Sequence, residues 1–276
     1  MKILKFSQAS ISHESAMFSS LSEQRHSATC DVPSYILPDQ HRPIRIYTLG
    51  QFAVLANGVP LKLAQRPVML LRTLVAFGGR DVPVETVAAA MHPGVDADRA
   101  NHALDTNLYR LRKGLGDHCV QMYGGQLSLN PDRCWVDIWN LESLLEPSGN
   151  VIAPANHVKH VLQLYRGSFL VGDDTPSVFA QRERLRSKFL RMITSIGHTL
   201  ETRAEDEVAI ECYQRGIEVD PLAEELYRRL MRCYDKLKRR AEALAVYLRC
   251  RKALVSMLGV EPSEHTMTLY RQIREG

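Results

Sequence analysis

Apolar and polar residues alternate in short runs from Ile44 onward, and this pattern predicts a small group of β-strands. The run "IRIYTL" alternates with a period of two, and "QFAVLANGVPLKL" contains two more such runs on either side of Asn57-Gly58. A period of two places one face of a strand against a core, and Asn-Gly is a frequent turn between paired strands. The sequence therefore predicts three short strands, of which the last two form a hairpin.

Three helices are predicted next, because the apolar spacing changes to that of a helix. The first begins at Arg66-Pro67, where proline suits a first turn, and ends at Gly78-Gly79. The segment "PVETVAAAMHP" predicts a short second helix between two prolines, and "GVDADR" predicts a loop with two acidic residues. A third helix, a hairpin around Gly124-Gly125 and a last strand in "CWVDI" complete this region.

The third predicted helix, Ala100–Gly116, reads "ANHALDTNLYRLRKGLG" and is closed by Gly114 and Gly116. At about 100° per residue, one stripe of this helix is apolar and faces a core. The stripe consists of Ala100, Leu104, Leu108, Leu111 and Leu115. The opposite side carries Arg99, His102, Thr106, Tyr109, Arg110 and Lys113. This outer face has no carboxylate at its centre.

That outer face has two interpretations. It is either a solvated surface with mild positive charge or a face that enters the DNA major groove, where Arg pairs with guanine and Thr touches a thymine methyl. The order of elements favours DNA, since a third helix followed by a Gly-Gly hairpin is typical of a winged helix. Cations at the end of the helix would then meet phosphates. Arg66 would lie on phosphate at the start of the first helix, and Arg133, just beyond the hairpin, is a further phosphate candidate.

Residues 137–276 are predicted to be helical almost throughout, beginning behind Asp137 as a helix N-cap. An internal repeat of 34 residues relates Ala209 to Ala243 and Tyr213 to Tyr247. The same period relates Ile210 to Leu244, Arg215 to Arg249, Ile196 to Leu230 and Leu200 to Tyr234. A period of 34 is that of tetratricopeptide helix pairs, which stack on their neighbours to bury their apolar faces. By itself this repeat predicts a binding or scaffold surface.

A basic segment within this region, "RERLRSKFLR" (residues 182–191), has two faces at helical spacing. Arg182 and Arg186 share one face, and Leu185 and Phe189 share another. The simpler interpretation is a solvated face over a core stripe. The alternative is a contact with the DNA backbone or between domains.

Composition adds limits to this picture. The chain has 276 residues, 45% of them apolar and 24% charged, with a net charge of +4. This suits two globular domains and permits a nucleic-acid partner without requiring one. Residues 1–43 are serine-rich and weakly periodic, and they predict a flexible tail and linker. No apolar run is long enough for a membrane span, and the start lacks a secretory h-region, so we expect a cytoplasmic protein.

The cysteines do not predict a metal site. All six are scattered without a C-x-x-C pair: Cys30, Cys119, Cys134, Cys212, Cys233 and Cys250. That spacing argues against zinc, and a cytosolic protein would keep them as thiols. Cys119 and Cys134 flank the predicted hairpin and could lie close together, with buried thiols the simpler interpretation and a redox switch the alternative. We expect no metal and no cofactor, and no motif or spacing supports a catalytic centre, so we expect no enzyme.

Several separate segments resemble one family. From about Ile44 to Ile273 the chain is similar to bacterial transcriptional activators of the Streptomyces antibiotic regulatory protein type. These join an OmpR-like winged helix to a helical bacterial transcriptional activator domain. The matching segments are "RIYTLGQFAVLANGVPL", "ALDTNLYRLRKGLG", "LSLNPDRCWVDIW", "LYRGSFLVGD", "QRERLRSKFL" and "DPLAEELYRRLMRCYDKLKRRAEALAVYLRCRKALVSMLGVEPSEHTMTLYRQI".

The resemblance implies a mainly α fold with a small β component, and two domains. A winged-helix DNA-binding domain would span residues 44–145, and a tetratricopeptide-like activator domain residues 146–276. It also implies a sequence-specific regulator that acts on promoters, binds double-stranded DNA and recruits RNA polymerase. The loop between the second and third helices would face the polymerase, with Asp96 and Asp98 as candidate contacts.

Two features depart from that pattern. The wing tip, "QMYGGQ", carries no cation, which argues against minor-groove binding by Arg or Lys. Residues 44–145 contain ten Lys and Arg against nine Asp and Glu, a net charge of +1. A domain with so little charge binds DNA weakly as a monomer, so we expect a homodimer or tandem binding. The alternative function is a protein-binding adaptor whose winged helix serves only docking or dimerisation.

Overall fold

The computed structural model describes residues 42–145 and 155–276. The predicted tail and linker, residues 1–43, lies outside the described residues except for its last two positions. The predicted boundary between residues 145 and 146 falls at the edge of residues 146–154, which also lie outside the described part. Within that described part, no helix is long and apolar enough to cross a membrane.

Residues 42–136, called here the winged-helix part, contain three helices between short strands. In chain order these are β1 (Ile44–Tyr47), β2 (Ala53–Ala56), β3 (Val59–Pro60), α1 (Gln65–Ala76), β4 (Val82–Pro83), α2 (Val84–Met91), α3 (Ala97–Leu115), β5 (Val120–Tyr123), β6 (Gln126–Leu129) and β7 (Cys134–Val136). One sheet has the strand order β3-β2-β1-β7, with β1 and β7 parallel, and the other has the order β4-β6-β5.

The core of the winged-helix part lies where α1, α2 and α3 pack on one another. Its centre is formed by aliphatic side chains that are almost completely buried: Leu70, Leu71, Leu74, Val87, Leu104 and Leu111. The spacing of these residues is helical, which explains why the sequence predicts all three helices.

Strand β4 is missing from the sequence prediction, which treats Pro83 only as a helix boundary. Val82 pairs with Leu127 and Pro83 with Gln126, both antiparallel. Val84 N also donates to Gly125 O at 2.9 Å. A strand of two residues has too little alternation to be recognised from sequence. The β5–β6 hairpin is thus held at one edge by a third strand.

The bounds of α3 also differ from the prediction. The helix begins at Ala97, three residues early, because the Asp96 carboxylate caps it by accepting from Asp98 N at 3.1 Å. "GVDADR" is therefore only partly a loop. At the other end Gly116 ends the helix with a φ of 106°, whereas Gly114 lies inside it, where the Leu63 side chain occupies the space that a Cβ would need. Gly114 thus allows close packing and does not close the helix.

In the described residues, seven helices follow β7. They are α4 (Asp137–Leu145), α5 (Ala155–Leu164), α6 (Pro176–Thr202), α7 (Asp206–Val219), α8 (Glu224–Lys236), α9 (Arg240–Leu258) and α10 (Glu264–Glu275). From α6 to α10 each helix packs on the next. We call residues 155–276 the helical part.

The predicted 34-residue repeat corresponds to helix pairs of the helical part. Ala209 and Ala243 are each the fourth residue of their helices, α7 and α9, and both are fully buried. Tyr213 and Tyr247 are buried one turn further along. Gly197 of α6 contacts the Tyr213 ring so closely that a Cβ would overlap it. Small residues therefore set the helix separation, as expected for stacked helix pairs.

A joint connects the two parts through β-type backbone hydrogen bonds. Leu49 forms an isolated antiparallel bridge with Phe169. Gly50 N donates to Ser168 O at 3.0 Å, and Leu170 N donates to Thr48 O at 2.8 Å. Residues 165–173, which include this segment, are here called the joint segment. It pairs with the residues that directly follow β1. The winged-helix part and the helical part are therefore joined by the same type of hydrogen bond that holds a sheet together.

Asp137 begins α4 but does not cap it as predicted. Its carboxyl group is fully buried and accepts from Thr48 N at 2.7 Å, Thr48 Oγ1 at 2.6 Å and Leu49 N at 2.9 Å. Arg166 of the joint segment lies 3.6 Å away. The sequence prediction is wrong here. The backbone N–H groups that the carboxylate accepts from belong to Thr48 and Leu49, just after β1, which lie 89 and 88 residues earlier in the chain.

Arg182, the first residue of the basic segment of α6, also holds the joint. Its guanidinium donates to the carbonyl oxygens of Phe169 at 2.9 Å, Leu170 at 2.9 Å and Asp173 at 2.8 Å. These partners are main-chain groups of the joint segment, and Arg182 Nη1 also lies 3.6 Å from Asp174 Oδ1. Arg182 and its partners all belong to the helical part, so this side chain holds the joint segment in place and is not a fully solvated face.

Candidate nucleic-acid interface

The inner stripe of α3 is buried as predicted, and the outer side is solvent-accessible. Five stripe residues have relative exposures of 5% or less: Ala100, Leu104, Leu108, Leu111 and Leu115. All six predicted contact residues of this helix are exposed: Arg99, His102, Thr106, Tyr109, Arg110 and Lys113. Because α3 is 19 residues long and packs on α1 and α2 along one side only, its other side presents a continuous polar ridge.

The residues of this ridge differ in how strongly local bonds hold them. Thr106 Oγ1 donates to His102 O at 3.2 Å, so its hydroxyl is engaged with its own helix while its methyl group remains available. Arg112, on the flank, is half-buried and donates through Nε to Val120 O at 3.0 Å. This bond ties α3 to the first strand of the wing. Arg112 thus positions the wing against the helix.

The acidic pair at the start of α3 has a structural role. Asp96 and Asp98 are both exposed. The Asp96 carboxylate caps the helix, and Asp98 lies in the first turn, where negative charge is stabilised by the helix dipole. Their exposure also leaves them accessible to a partner, and their suggested role as polymerase contacts stays a prediction.

The wing is the β5–β6 hairpin, and its turn is built by two glycines with positive φ, Gly124 at 54° and Gly125 at 74°. Tyr123 directly before this turn is 90% exposed, and Met122 is 50% exposed. The tip has no cation, as the sequence predicts, and these two apolar groups are not among the predicted site residues. The sequence does contain a signal for them. Two consecutive large apolar residues stand before the Gly-Gly turn, so they lie on opposite faces of the strand, whereas a half-buried strand usually has a polar residue on its outer face.

A shallow groove separates α3 from the wing. Its lining contains aromatic, aliphatic and charged groups: Asp105, Leu108, Tyr109, Arg112, Asp117 and Met122. Tyr109 is 68% exposed on the helix side, and Met122 faces the groove from β5. The two carboxylates would repel a phosphate that entered the groove itself. The surface available to a duplex is therefore the ridge of α3 and the tip of the wing, with the groove between them.

The other two predicted phosphate contacts lie apart from the ridge. Arg66 is exposed in the first turn of α1. In the described residues no side chain caps this helix behind Ala64, so its first backbone N–H groups are available to an anion. Arg133 is exposed in the turn before β7, and its charge acts on the thiol of Cys119 near the end of α3. The structure thus places Arg133 at the base of the wing.

The electrostatics of the joint are set by burial. Complete burial raises the pKa of the Asp137 carboxyl group, and the hydrogen bonds from Thr48 and Leu49 together with the charge of Arg166 oppose that rise. The Arg166 guanidinium also lies 4.6 Å from the centre of the Tyr47 ring. A second pair across the joint, Arg72 Nε to Asp173 Oδ2, is 3.3 Å long. Charged groups therefore hold the joint segment against the end of β1 and against α1.

Metal ligands do not come together in the described part of the chain, where no group of three or more His, Cys, Asp or Glu side chains is arranged to hold an ion. The buried thiols of Cys119 and Cys134, by contrast, are brought together at the base of the wing.

Residues 140–274 match the bacterial transcriptional activator domain family. AfsR, a regulatory protein of Streptomyces griseus, is 26% identical over 253 residues, which cover 84% of this chain and 24% of AfsR. DnrI, a regulatory protein of Streptomyces peucetius, is 25% identical over 257 residues, covering 83% of this chain and 92% of DnrI. The chain thus spans about a quarter of AfsR but nearly the whole of DnrI.

A solved structure has the same fold. The structure of Mycobacterium tuberculosis EmbR in complex with a low-affinity phosphopeptide superposes with a TM-score of 0.63 over 85% of this chain and 65% of EmbR, at 18% identity. The predicted architecture, a winged helix followed by a helical repeat domain, is confirmed. The predicted resemblance to bacterial transcriptional activators of the Streptomyces antibiotic regulatory protein type is confirmed by the activator-domain match at residues 140–274 and by the similarity to AfsR and DnrI.

Proposed function

We propose that this protein is a sequence-specific DNA-binding regulator that activates transcription, with α3 in the major groove. The observation that carries the proposal is the outer side of α3, where six exposed side chains form one ridge on a helix fixed by a buried stripe. A helix fits the width of the major groove, and the ridge offers guanidinium groups for guanine and a threonine methyl group for thymine. The regulatory relatives AfsR and DnrI support the same class of function.

Phosphate contacts come from several elements in this proposal. Arg110 and Lys113 on the second half of α3, Arg66 at the start of α1 and Arg133 at the wing base supply the cations. Because residues 44–145 carry a net charge of only +1, one copy would contact few phosphates. We therefore infer that two copies occupy one site. Two half-sites would double the contacts and the readout of base pairs.

Recruitment of RNA polymerase completes the proposed mechanism. Asp96 and Asp98 lie at the start of α3, before the ridge residues in the chain, and both are exposed. A duplex bound to the ridge would therefore leave them accessible. We place the protein in the cytoplasm and divide it into a winged-helix domain at 44–145 and an activator domain at 146–276. It acts by binding, as a regulator without an enzymatic step.

The alternative is a protein-binding adaptor that uses its helical repeats. Two observations favour it: the acidic groups that line the groove, Asp105 of α3 and Asp117 just after α3, and the wing without cations. An adaptor would show no salt-dependent affinity for DNA. The two functions therefore separate in one binding experiment.

The test is selection of genomic fragments followed by footprinting. The full chain is expected to enrich a small set of promoter fragments and to protect one repeated sequence. The double variant R110A/K113A should lose this protection, while R232A/K252A, which removes two exposed cations from the helical part, should retain it. Enrichment without a protected sequence, or equal protection by R110A/K113A, would contradict the proposal.

A further inference from the structure

Cys119 and Cys134 lie at the two ends of the wing. Cys119 is in the turn between α3 and β5, and Cys134 is the first residue of β7. Asn130 connects them, since its backbone N–H donates to Cys119 O at 2.9 Å and its carbonyl oxygen accepts from Cys134 N at 2.8 Å. The two cysteines are therefore neighbours in space, although 15 residues separate them in the chain.

The Cys134 thiol reaches the Cys119 residue itself. Cys134 Sγ donates to Cys119 O at 3.6 Å, and both side chains are buried. The hydrogen bond from Cys134 lowers the pKa of the Cys119 thiol against the effect of burial, with a contribution from the charge of Arg133. The same hydrogen bond and burial raise the pKa of Cys134. Cys119 is thus the sulfur that ionises first, and Cys134 retains its proton beside it.

We infer that Cys119 and Cys134 are a reversible disulfide site at the base of the wing, oxidised by hydrogen peroxide. In the first step the Cys119 thiolate attacks peroxide, an S–O bond forms, the O–O bond breaks and the leaving hydroxide becomes water with one proton. In the second step Cys134 sulfur attacks Cys119 sulfur, the S–S bond forms, the S–O bond breaks and a second water leaves with the Cys134 proton. Two thiols and one peroxide give one disulfide and two waters.

Oxidation would change the geometry between α3 and the wing. In the reduced protein Cys119 Sγ donates to Leu115 O, a carbonyl of the last turn of α3, at 3.2 Å. The disulfide removes that donor and links the residue before β5 covalently to β7. The start of the wing would then be fixed to the four-stranded sheet as well as to α3 through Arg112. We therefore expect oxidised protein to bind DNA more weakly, a consequence that rests on the proposed function.

Three other buried thiols serve as internal controls. Cys212, Cys233 and Cys250 lie in α7, α8 and α9, and burial raises the pKa of each to about 12. They are buried like the wing pair, but their raised pKa leaves them protonated, so peroxide should react with them more slowly than with Cys119. Cys30 lies outside the described residues, and the C30S background removes it from the experiment.

The experiment treats C30S protein with hydrogen peroxide under native conditions, blocks the remaining thiols and maps the peptides. The expected result is a Cys119–Cys134 cross-linked peptide that dithiothreitol reverses, with Cys212, Cys233 and Cys250 still reduced. Equal reaction of all five thiols, or reaction only after unfolding, would overturn the inference. C119S and C134S in the same background must each abolish the cross-link.

DNA affinity gives the second result. Oxidised C30S protein should bind its footprinted site at least about three-fold more weakly than the reduced form, and C30S/C134S should show no change on oxidation. If the cross-link forms but the affinity for DNA does not change, the disulfide site is supported and its proposed effect on the wing is wrong. Absence of any DNA binding by reduced protein would contradict the proposed function while the peptide map still decides the disulfide.

Discussion

Arg166 Nη2 lies 3.6 Å from Asp137 Oδ2, and this pair joins the first residue of α4 to the segment that extends the β1 edge. The Asp137 carboxyl group also accepts three hydrogen bonds from Thr48 and Leu49. One side chain thus satisfies the end of β1 and contacts the helical part. The position of the helical part relative to α3 therefore depends on a buried group far from the ridge.

Replacement of Asp137 by alanine should destabilise the protein strongly. The backbone N–H groups of Thr48 and Leu49 would lose their acceptor in a buried site, and Arg166 would lose its partner. Removal of one member of a buried polar network costs about 3 kcal/mol. Urea unfolding of the full chain measures this loss.

The matched control for Asp137→Ala is Glu142→Ala in the same helix. Glu142 also has an arginine partner, Arg184 at 3.3 Å, but that arginine is 56% exposed. Such a pair contributes at most about 1 kcal/mol. Similar losses in the two variants would show that the joint does not depend on the buried carboxyl group.

Replacement of Gly197 by alanine should loosen the helical part. A Cβ at this position of α6 would overlap the Tyr213 ring, so α6 and α7 would have to separate. Overpacking of this kind costs about 1–3 kcal/mol. The exposed Ser195→Ala in the same helix should stay within about 0.5 kcal/mol of wild type. Thermal unfolding compares the two, and a Gly197→Ala protein as stable as Ser195→Ala would contradict the predicted close packing.

The attachment of α10 should weaken in acid through Glu224. Partial burial pushes the pKa of Glu224 upward, but donors from Ser263 and Thr266 and the charge of Arg228 outweigh it, so the pKa lies below 4.5. A carboxylate with a lowered folded-state pKa contributes stability above its unfolded pKa and loses it as pH falls through the folded pKa. The stabilising contribution is therefore present at neutral pH and is lost in acid, as the pH falls through the lowered folded-state pKa.

The variant Glu224→Gln isolates this effect from other acidic groups. It should be less stable than wild type at neutral pH, and the difference should shrink as the pH falls through the unfolded and then the lowered folded-state pKa of Glu224. Urea midpoints measured across this range give the difference directly. A difference that stays constant with pH would mean that the charge of Glu224 contributes nothing to the packing of α10.

Tyr123 should contribute to DNA affinity without contributing to its salt dependence. Its ring is 90% exposed at the tip of the wing, where it can pack on sugar or base edges but cannot neutralise a phosphate. Tyr123→Ala should weaken binding about five-fold and leave the slope of log K against log salt unchanged. Tyr123→Phe should bind like wild type. Normal duplex binding by Tyr123→Ala would contradict a contact between this ring and DNA.

The helices of the winged-helix part could be predicted from the sequence because their cores repeat at helical spacing. Leu104, Leu108 and Leu111 share one face of α3 because of their spacing alone, and this face does not depend on contacts with distant parts of the chain. The same spacing identified the exposed ridge. The 34-residue repeat likewise follows from local identity, since Ala209 and Ala243 occupy equivalent positions in successive helix pairs.

Features that depend on distant partners could not be predicted. The role of Asp137 requires Thr48 and Leu49, and its position before a helix suggested an N-cap instead. Strand β4 is defined by its pairing with Leu127 and Gln126 and has no pattern of its own. Local sequence carries helix spacing but not the pairing of segments far apart in the chain.

The central claim is that the ridge of α3 binds duplex DNA, and the salt dependence of affinity for the footprinted site tests it most directly. For wild type, log K should fall linearly with log salt, because Lys and Arg release counterions from phosphates. In R110A/K113A the slope should decrease by about 1 to 2 and affinity should fall, while R232A/K252A should match wild type. A wild-type affinity that does not change with salt, or a R110A/K113A slope equal to that of wild type, would contradict the claim.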